Sequence, residues 1–226
     1  MSGISRGWTP GHLSGQGAAM NRSLWLGLVS LLAGVAAHAA PVSLFDGKSF
    51  AGWDGDTNAT WRVADGALMA GDLEKTIPQN EFLATTASYT NFVLRLKFKI
   101  EGVDGFVNGG VQVRSQRIPK HNEMIGYQAD IGEGWFGCLY DESRRNKVLA
   151  KPDAAAVTRA LKPGAWNDYE IRCEGRRVRL AINGIPMVDY IETDPAVIQE
   201  GRIGLQVHGG GKTRIAYRDL WIEPLP

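Results

Sequence analysis

Between residues 91 and 100 the chain alternates. Phe92, Leu94, Leu96, Phe98 and Ile100 share one face, and Arg95, Lys97 and Lys99 share the other. An apolar period of two predicts a strand with one buried side. The pattern returns at Tyr169, Ile171 and Cys173, set against Glu170 and Arg172. A Glu174-Gly175-Arg176 turn should send that strand back as Val178, Leu180 and Ile182. Residues 203–208 and 213–222 predict two further strands. Trp61-Arg62-Val63, Asp65-Gly66 and Ala67-Leu68-Met69 spell a hairpin. With Asp46-Gly47, Asp104-Gly105, Asn183-Gly184 and Gly209-Gly210-Gly211, the turn marks recur about every 8–12 residues, as in all-β sandwiches. Helical signals are few: residues 152–160, with Pro152 near the first helical position, and residues 193–199. Neither is long enough to build an α/β sheet. The expected fold is therefore all-β, one antiparallel β-sandwich with an apolar interior and a polar concave face.

The polar positions on three of these strands share a feature. Gln112 and Arg114 alternate with valines, Gln128 and Asp130 with Tyr127, Ala129 and Ile131, and Gln206 and His208 with Leu205 and Val207. Each strand thus presents a Gln and, two residues on, an ionisable group on the same face. Amides offer paired donors and acceptors, Arg a fixed fork and Asp an acceptor. Such a set suits a polyhydroxylated ligand. The alternative is an ordinary solvent-facing sheet surface. Trp135 lies in the Gly-rich loop that follows Asp130, placed to meet a sugar ring or to close the sandwich edge. Trp53, Trp61 and Trp221 are expected to pack in the core or at its edge.

Composition narrows the partners. The 226 residues are 44% hydrophobic with a formal charge of +1, which gives no electrostatic reason to expect nucleic acid. The N-terminal segment reads as processing. After an early start at residues 1–19, Met20-Asn21-Arg22 precedes an apolar run and then Ala37-His38-Ala39, the order of a secretory signal peptide. The run is short for a membrane span. Cleavage after Ala39 leaves one domain, residues 40–226, in the periplasm or outside the cell, with no membrane span. It removes Arg6 and Arg22 and takes the formal charge from +1 to −1. Cys138 and Cys173 would meet an oxidising compartment, so a disulfide is open, with free buried thiols favoured. They form no zinc pattern.

Asp130, Glu133, Asp141 and Glu142 cluster, yet no run resembles the paired carboxylates of an ordinary retaining glycosidase. No cofactor is expected. Asp104, Asn108 and Asp130 could offer oxygens to Ca²⁺, although their spacing matches no EF-hand loop.

Several blocks together resemble the 3-keto-disaccharide hydrolase domain family. These are Leu44-Phe45-Asp46-Gly47-Lys48 with Gly52-Trp53, Asn108-Gly109-Gly110-Val111-Gln112-Val113-Arg114, Tyr127-Gln128-Ala129-Asp130, Trp166-Asn167, and the block from Gly201-Arg202-Ile203-Gly204 to Leu205-Gln206-Val207-His208. The resemblance implies a concanavalin A-like jelly roll. It also implies a small saccharide substrate, a glycoside already oxidised at C3. Two departures stand out: Tyr127-Gln128 lacks the Glu many members carry just before the Gln, and Tyr217-Arg218-Asp219 replaces the usual Phe-Arg-Asn. A C3 ketone acidifies the C2 proton, so a base, a donor to the enolate oxygen and an acid suffice for cleavage. Asp130 or His208 is the expected base and Glu142 the acid. Arg114 and Gln128 hold the ketone, while Gln112, Gln206 and Trp135 complete the substrate site. The rivals are a non-catalytic lectin-like carbohydrate-binding module and a structural or interaction domain.

Overall fold

The structure, a computed structural model, describes residues 40–226, so the expected signal peptide and early start lie outside the described residues. Five short strands come first: β1 (Val42–Ser43), β2 (Trp53–Asp54), β3 (Trp61–Ala64), β4 (Ala67–Gly71) and β5 (Glu81–Thr85). The long β6 (Phe92–Gly105) leads into β7 (Asn108–Arg117), β8 (Met124–Gly132), β9 (Leu139–Glu142) and β10 (Lys147–Ala150). After helix α1 (Ala154–Ala160) come β11 (Asn167–Glu174), β12 (Arg177–Ile182), β13 (Ile185–Ile191), β14 (Arg202–Val207) and β15 (Gly211–Pro224).

These strands form two antiparallel sheets. One runs β13-β12-β11-β6-β15-β4-β3, with β1 added against β15; the other runs β10-β9-β8-β7-β14-β5-β2. Strands distant in sequence, such as β7 and β14, lie side by side because the chain crosses repeatedly between the sheets, as in a jelly roll. The expected all-β sandwich is what the chain forms. Its core is made by the apolar faces that the alternation marked. Leu94, Leu96, Phe98, Ile171 and Leu180 of the first sheet join Val111, Val113, Tyr127, Ala129, Leu205 and Val207 of the second in one buried cluster. Two hairpin turns follow their sequence signals. Asp65 and Gly66 (φ 51° and 69°), and Asn183 and Gly184 (φ 48° and 78°), adopt the paired positive φ that a two-residue turn needs to match strand twist.

Three expectations are corrected. Residues 193–199 form a turn rather than a helix. The carbonyls a helix would use are taken: Arg176 donates to the carbonyls of Asp194 and Val197, and Asp194 Oδ1 receives the amide of Ala196. In α1, Pro152 stands outside; Asp153 is the N-cap, its Oδ1 accepting the Ala156 amide at 3.1 Å. Trp221 is 46% exposed rather than packed, whereas Trp53 and Trp61 are core residues.

Beside the second sheet lies a buried charge cluster. The side chains of Asp141 and Glu192 are fully shielded from solvent. Arg145 bridges them, 2.6 Å from Glu192 and in contact with Asp141. Arg144 Nε donates to Asp141 at 2.9 Å, and the Tyr127 hydroxyl donates to Glu192 at 2.7 Å. Buried carboxylates are tolerated when so fully paired.

Candidate active site

The strand registers set a row of side chains across the outer face of the second sheet. Ala84, Gly204, Gln112, Gln128 and Tyr140 stand opposite one another on β5, β14, β7, β8 and β9. The neighbouring row is Phe82, Gln206, Gly110 and Asp130. This is the face that carries the recurring glutamines, and it is not washed by solvent. Gln112 and Gln206 are 0% exposed, Gln128 and Asp130 2%.

The buried amides are joined in one direction. Ser115 Oγ donates to Gln112 Oε1. Gln112 Nε2 donates to Gln128 Oε1 at 3.0 Å. Gln128 Nε2 then donates both its protons, to Asp130 Oδ1 at 2.8 Å and to Gln206 Oε1 at 3.0 Å. Two polar atoms at the end of this chain have no protein partner: Asp130 Oδ2 and Gln206 Nε2. Buried polar atoms are ordinarily paired, so an orphaned pair marks a place for a ligand or an ordered water.

Gly110 makes room for this arrangement. A Cβ there would lie 2.8 Å from Cγ and Cδ of Gln128, closer than carbon atoms pack. We expect Gly110→Ala to cost about 1–3 kcal/mol as an overpacked site. A melting curve should show Tm lower by roughly 3–10 °C. An unchanged Tm would mean that Gln128 has space to move.

A cavity of about 160 Å³ opens over Gln128 and Asp130, with Asn108, Glu142 and His208 on its walls. Its rim is aromatic. Trp135 meets Tyr140 edge-on at 6.0 Å and Phe106 edge-on at 6.4 Å, and Phe106 meets the His208 ring at 4.6 Å. The Trp135 platform is a tightly wound turn: the amides of Trp135 and Phe136 both bond the Gly132 carbonyl, and the Gly137 amide returns to Asp130. Gly134 and Gly137 (φ 76° and 75°) supply the left-handed backbone this winding needs.

No Lys or Arg is among the residues lining the cavity, so no cation on its walls offsets the cost of burying its acids. Burial raises the Asp130 carboxyl to about 8, the bond from Gln128 opposing and Glu142 adding. Burial also raises Glu142, to about 7, reinforced by the charges of Glu123 and Asp141. His208 Nδ1 lies 2.6 Å from the Gly209 carbonyl. A carbonyl oxygen only accepts, so that contact puts a proton on Nδ1.

The structure thus gathers Asp130, Glu142, His208, Gln128 and Trp135 around one cavity. Gln112 and Gln206 lie behind it and hold Gln128. Arg114 is elsewhere, which corrects its expected place beside Gln112. The β7–β8 register shifts between Val113 and Gln116, and Arg114 takes φ 51°, so the alternation breaks there. The buried Arg114 instead ties loops together, donating to the carbonyls of Thr90 and Gly175, to Gln199 Oε1 and to Asn91 Oδ1 at 2.6–3.1 Å. Asp104 is exposed and bonds its neighbour's amide, so Asp104, Asn108 and Asp130 do not form one ligand set. Among the described residues no cluster of three His, Cys, Asp or Glu side chains could hold a metal ion. Cys138 and Cys173 are free and buried, their thiols raised by burial to about 11 and about 12. Sequence reasoning missed Phe106 and Tyr140 and gave Asn108 only a metal role. Tyr140 was findable, two residues from Glu142 on one strand; nothing local marked Phe106.

Residues 40–223 match the family described as the 3-keto-alpha-glucoside-1,2-lyase-like domain. The chain belongs to this family. As a 3-keto-alpha-glucoside-1,2-lyase-like domain, it also shares its fold with solved structures. Two are Parabacteroides distasonis proteins provisionally described as glycosyl hydrolases. One is 19% identical with a TM-score of 0.63, covering 82% of this chain and 94% of its own. The other is 23% identical with a TM-score of 0.61, covering 83% and 100%. A third is the carbohydrate binding module CBM66 from Bacillus subtilis, 18% identical with a TM-score of 0.59 over 76% and 95%. At such identities the likeness speaks for the fold. No curated protein matches the sequence. Among the described residues no helix of the domain is long and apolar enough to cross a membrane.

Proposed function

We propose that this domain is an exported carbohydrate-active enzyme that cleaves glycosides already oxidised to a ketone at C3. The reading rests on one observation: two acids, Asp130 and Glu142, share a cavity with no cation on its walls and are both shifted to near neutrality. Acid–base catalysis at neutral pH needs such groups. Their order revises the roles that sequence suggested. Asp130, the weaker acid, keeps its proton at pH 7 and donates from Oδ2 to the ketone oxygen. Glu142, about half ionised there, takes the C2 proton.

The electrons of the C2–H bond form the C2=C3 enol. Collapse of the enol returns its hydroxyl proton to the Asp130 carboxylate, restores the ketone, makes C1=C2 and breaks the bond from C1 to the aglycone oxygen. That oxygen receives the proton held by Glu142. Water then adds across the double bond, its OH to C1 and its H to C2, giving the free 3-keto sugar. The cavity, about 160 Å³ against the roughly 300–1,000 Å³ of drug-sized sites, suits one sugar ring, with Trp135 at its edge.

The test is a comparison of 3-keto-trehalose or a 3-keto-glucoside with the unoxidised sugar in D₂O. The expected result is release of 3-keto sugar and deuterium at C2, for the oxidised substrate alone. Turnover should rise as Glu142 ionises near pH 7 and fall as Asp130 loses its proton near pH 8. Binding of both sugars with neither cleavage nor exchange would replace this reading with a lectin-like carbohydrate-binding module.

A further inference from the structure

We infer that Ser115 and Gln112, neither of which lines the cavity, are positioning residues that fix which oxygen of Asp130 carries the acid proton. The inference rests on the catalytic reading above and extends it to residues outside the pocket.

The argument is one of hydrogen-bond polarity. A carboxamide has one end that only donates and one that only accepts. Ser115 Oγ has one proton, and its shortest contact is Gln112 Oε1. With that oxygen occupied, Gln112 turns its Nε2 toward Gln128 Oε1, 3.0 Å away. Gln128 must then present Nε2 to Asp130 Oδ1 and Gln206 Oε1. An oxygen that accepts such a bond is not the protonated one. The neutral carboxyl therefore carries its proton on Oδ2, the oxygen without a protein partner. Ser115 is itself 0% exposed and locked in place: a Cβ on Gly126 would lie 2.1 Å from its Oγ.

Without Ser115 the polarity is no longer set. Gln128 can rotate its amide and offer Oε1 to Asp130. The acid proton then moves to Oδ1 and is held by Gln128. Two consequences follow together. The neutral acid gains a hydrogen bond, so its titration moves to higher pH. The proton is withdrawn from the cavity, so turnover falls. The other ionisable groups around Asp130 stay where they are: Glu142 and Tyr140 on β9, Cys138 just before it, Tyr169 beneath the Asp130 carbonyl, and His208 across the cavity.

The experiment is a ¹³C carboxyl NMR titration of Ser115→Ala and wild type without substrate, with Asp130 assigned from its absence in Asp130→Asn. The Asp130 midpoint is expected to rise by about 0.5–1 pH unit in Ser115→Ala. With a 3-keto-glucoside, kcat is expected to drop about 10-fold with KM little changed, and the alkaline limb to move the same way. Gln112→Met breaks the next link and should shift the midpoint likewise. In wild type, the side-chain amide protons of Gln128 should exchange slowly and follow the Asp130 midpoint. An unmoved midpoint in the folded variants, or Gln128 amide signals that ignore Asp130, overturns the inference. So does a lower kcat with no displaced limb, the mark of a merely structural role. Because the titration needs no substrate, a wild type that titrates as described yet fails to cleave would sink the catalytic reading and leave the proton placement standing.

Discussion

Asp130→Asn is expected to lower turnover of a 3-keto-glucoside by roughly 10²–10⁴-fold, the usual worth of a positioned proton donor. The same substitution should make the protein more stable at pH 8. The sign follows from linkage. Burial raises the folded carboxyl to about 8 from 3.8. Between those values the folded state holds a proton that the unfolded chain has released, so stability falls as pH rises through this window. Asparagine has no proton to lose and escapes the penalty. Its advantage should be small at pH 4 and grow steadily to about 6 kcal/mol at most by pH 8, each pK unit being worth about 1.4 kcal/mol. Urea unfolding at the two pH values, beside steady-state kinetics, checks both halves. Equal turnover with wild type would remove Asp130 from the chemistry. A variant less stable at pH 8 would mean that the buried oxygen is better satisfied than the protein alone shows.

Arg145→Met is expected to destabilise the domain by about 3–5 kcal/mol, the cost of leaving buried carboxylates without their cation. For a domain of this size that is a Tm lower by roughly 6–20 °C. Asp141 and Glu192 are both fully shielded, and Arg145 is the group that bridges them. Burial by itself would raise Glu192; the bonds from Arg145, the Asp194 amide and Tyr127 outweigh it and hold the carboxyl at about 2. The stability this brings is complete above the unfolded value of 4.5 and is lost as pH falls toward 2. The gap between wild type and variant should therefore be wide at pH 7 and narrow at pH 3. A loss below 1 kcal/mol at pH 7 would show that Arg144 and Tyr127 suffice. The two substitutions contrast. Asp130 is a buried acid held without a cation, at a cost; Asp141 and Glu192 are buried acids fully compensated. Only the first is expected to move a proton.

Much of the fold was legible because strand burial has a period of two and hairpin turns have few solutions. The alternation around Phe92–Phe98 and Tyr169–Cys173 and the Asp65-Gly66 and Asn183-Gly184 turns needed only local rules. Where local rules failed, a long-range partner had intervened. Residues 193–199 lost their helix to Arg176, which lies on the loop before β12. Arg114 left the face that its period assigned because a bulge in β7 turned it toward Thr90, Gly175 and Gln199.

The sequence alone determined the all-β class, the apolar core face of the alternating strands and the set of strands that carry a glutamine ahead of an ionisable group, since these depend on neighbours two residues apart. The tertiary structure decided what that set becomes. Only the pairing of β7 with both β8 and β14, distant in sequence, turns three separate glutamines into one directional relay. Only the burial of that relay under an aromatic rim raises Asp130 and Glu142 to near neutrality, because a carboxyl's affinity for its proton is set by the water and charge that surround it in space.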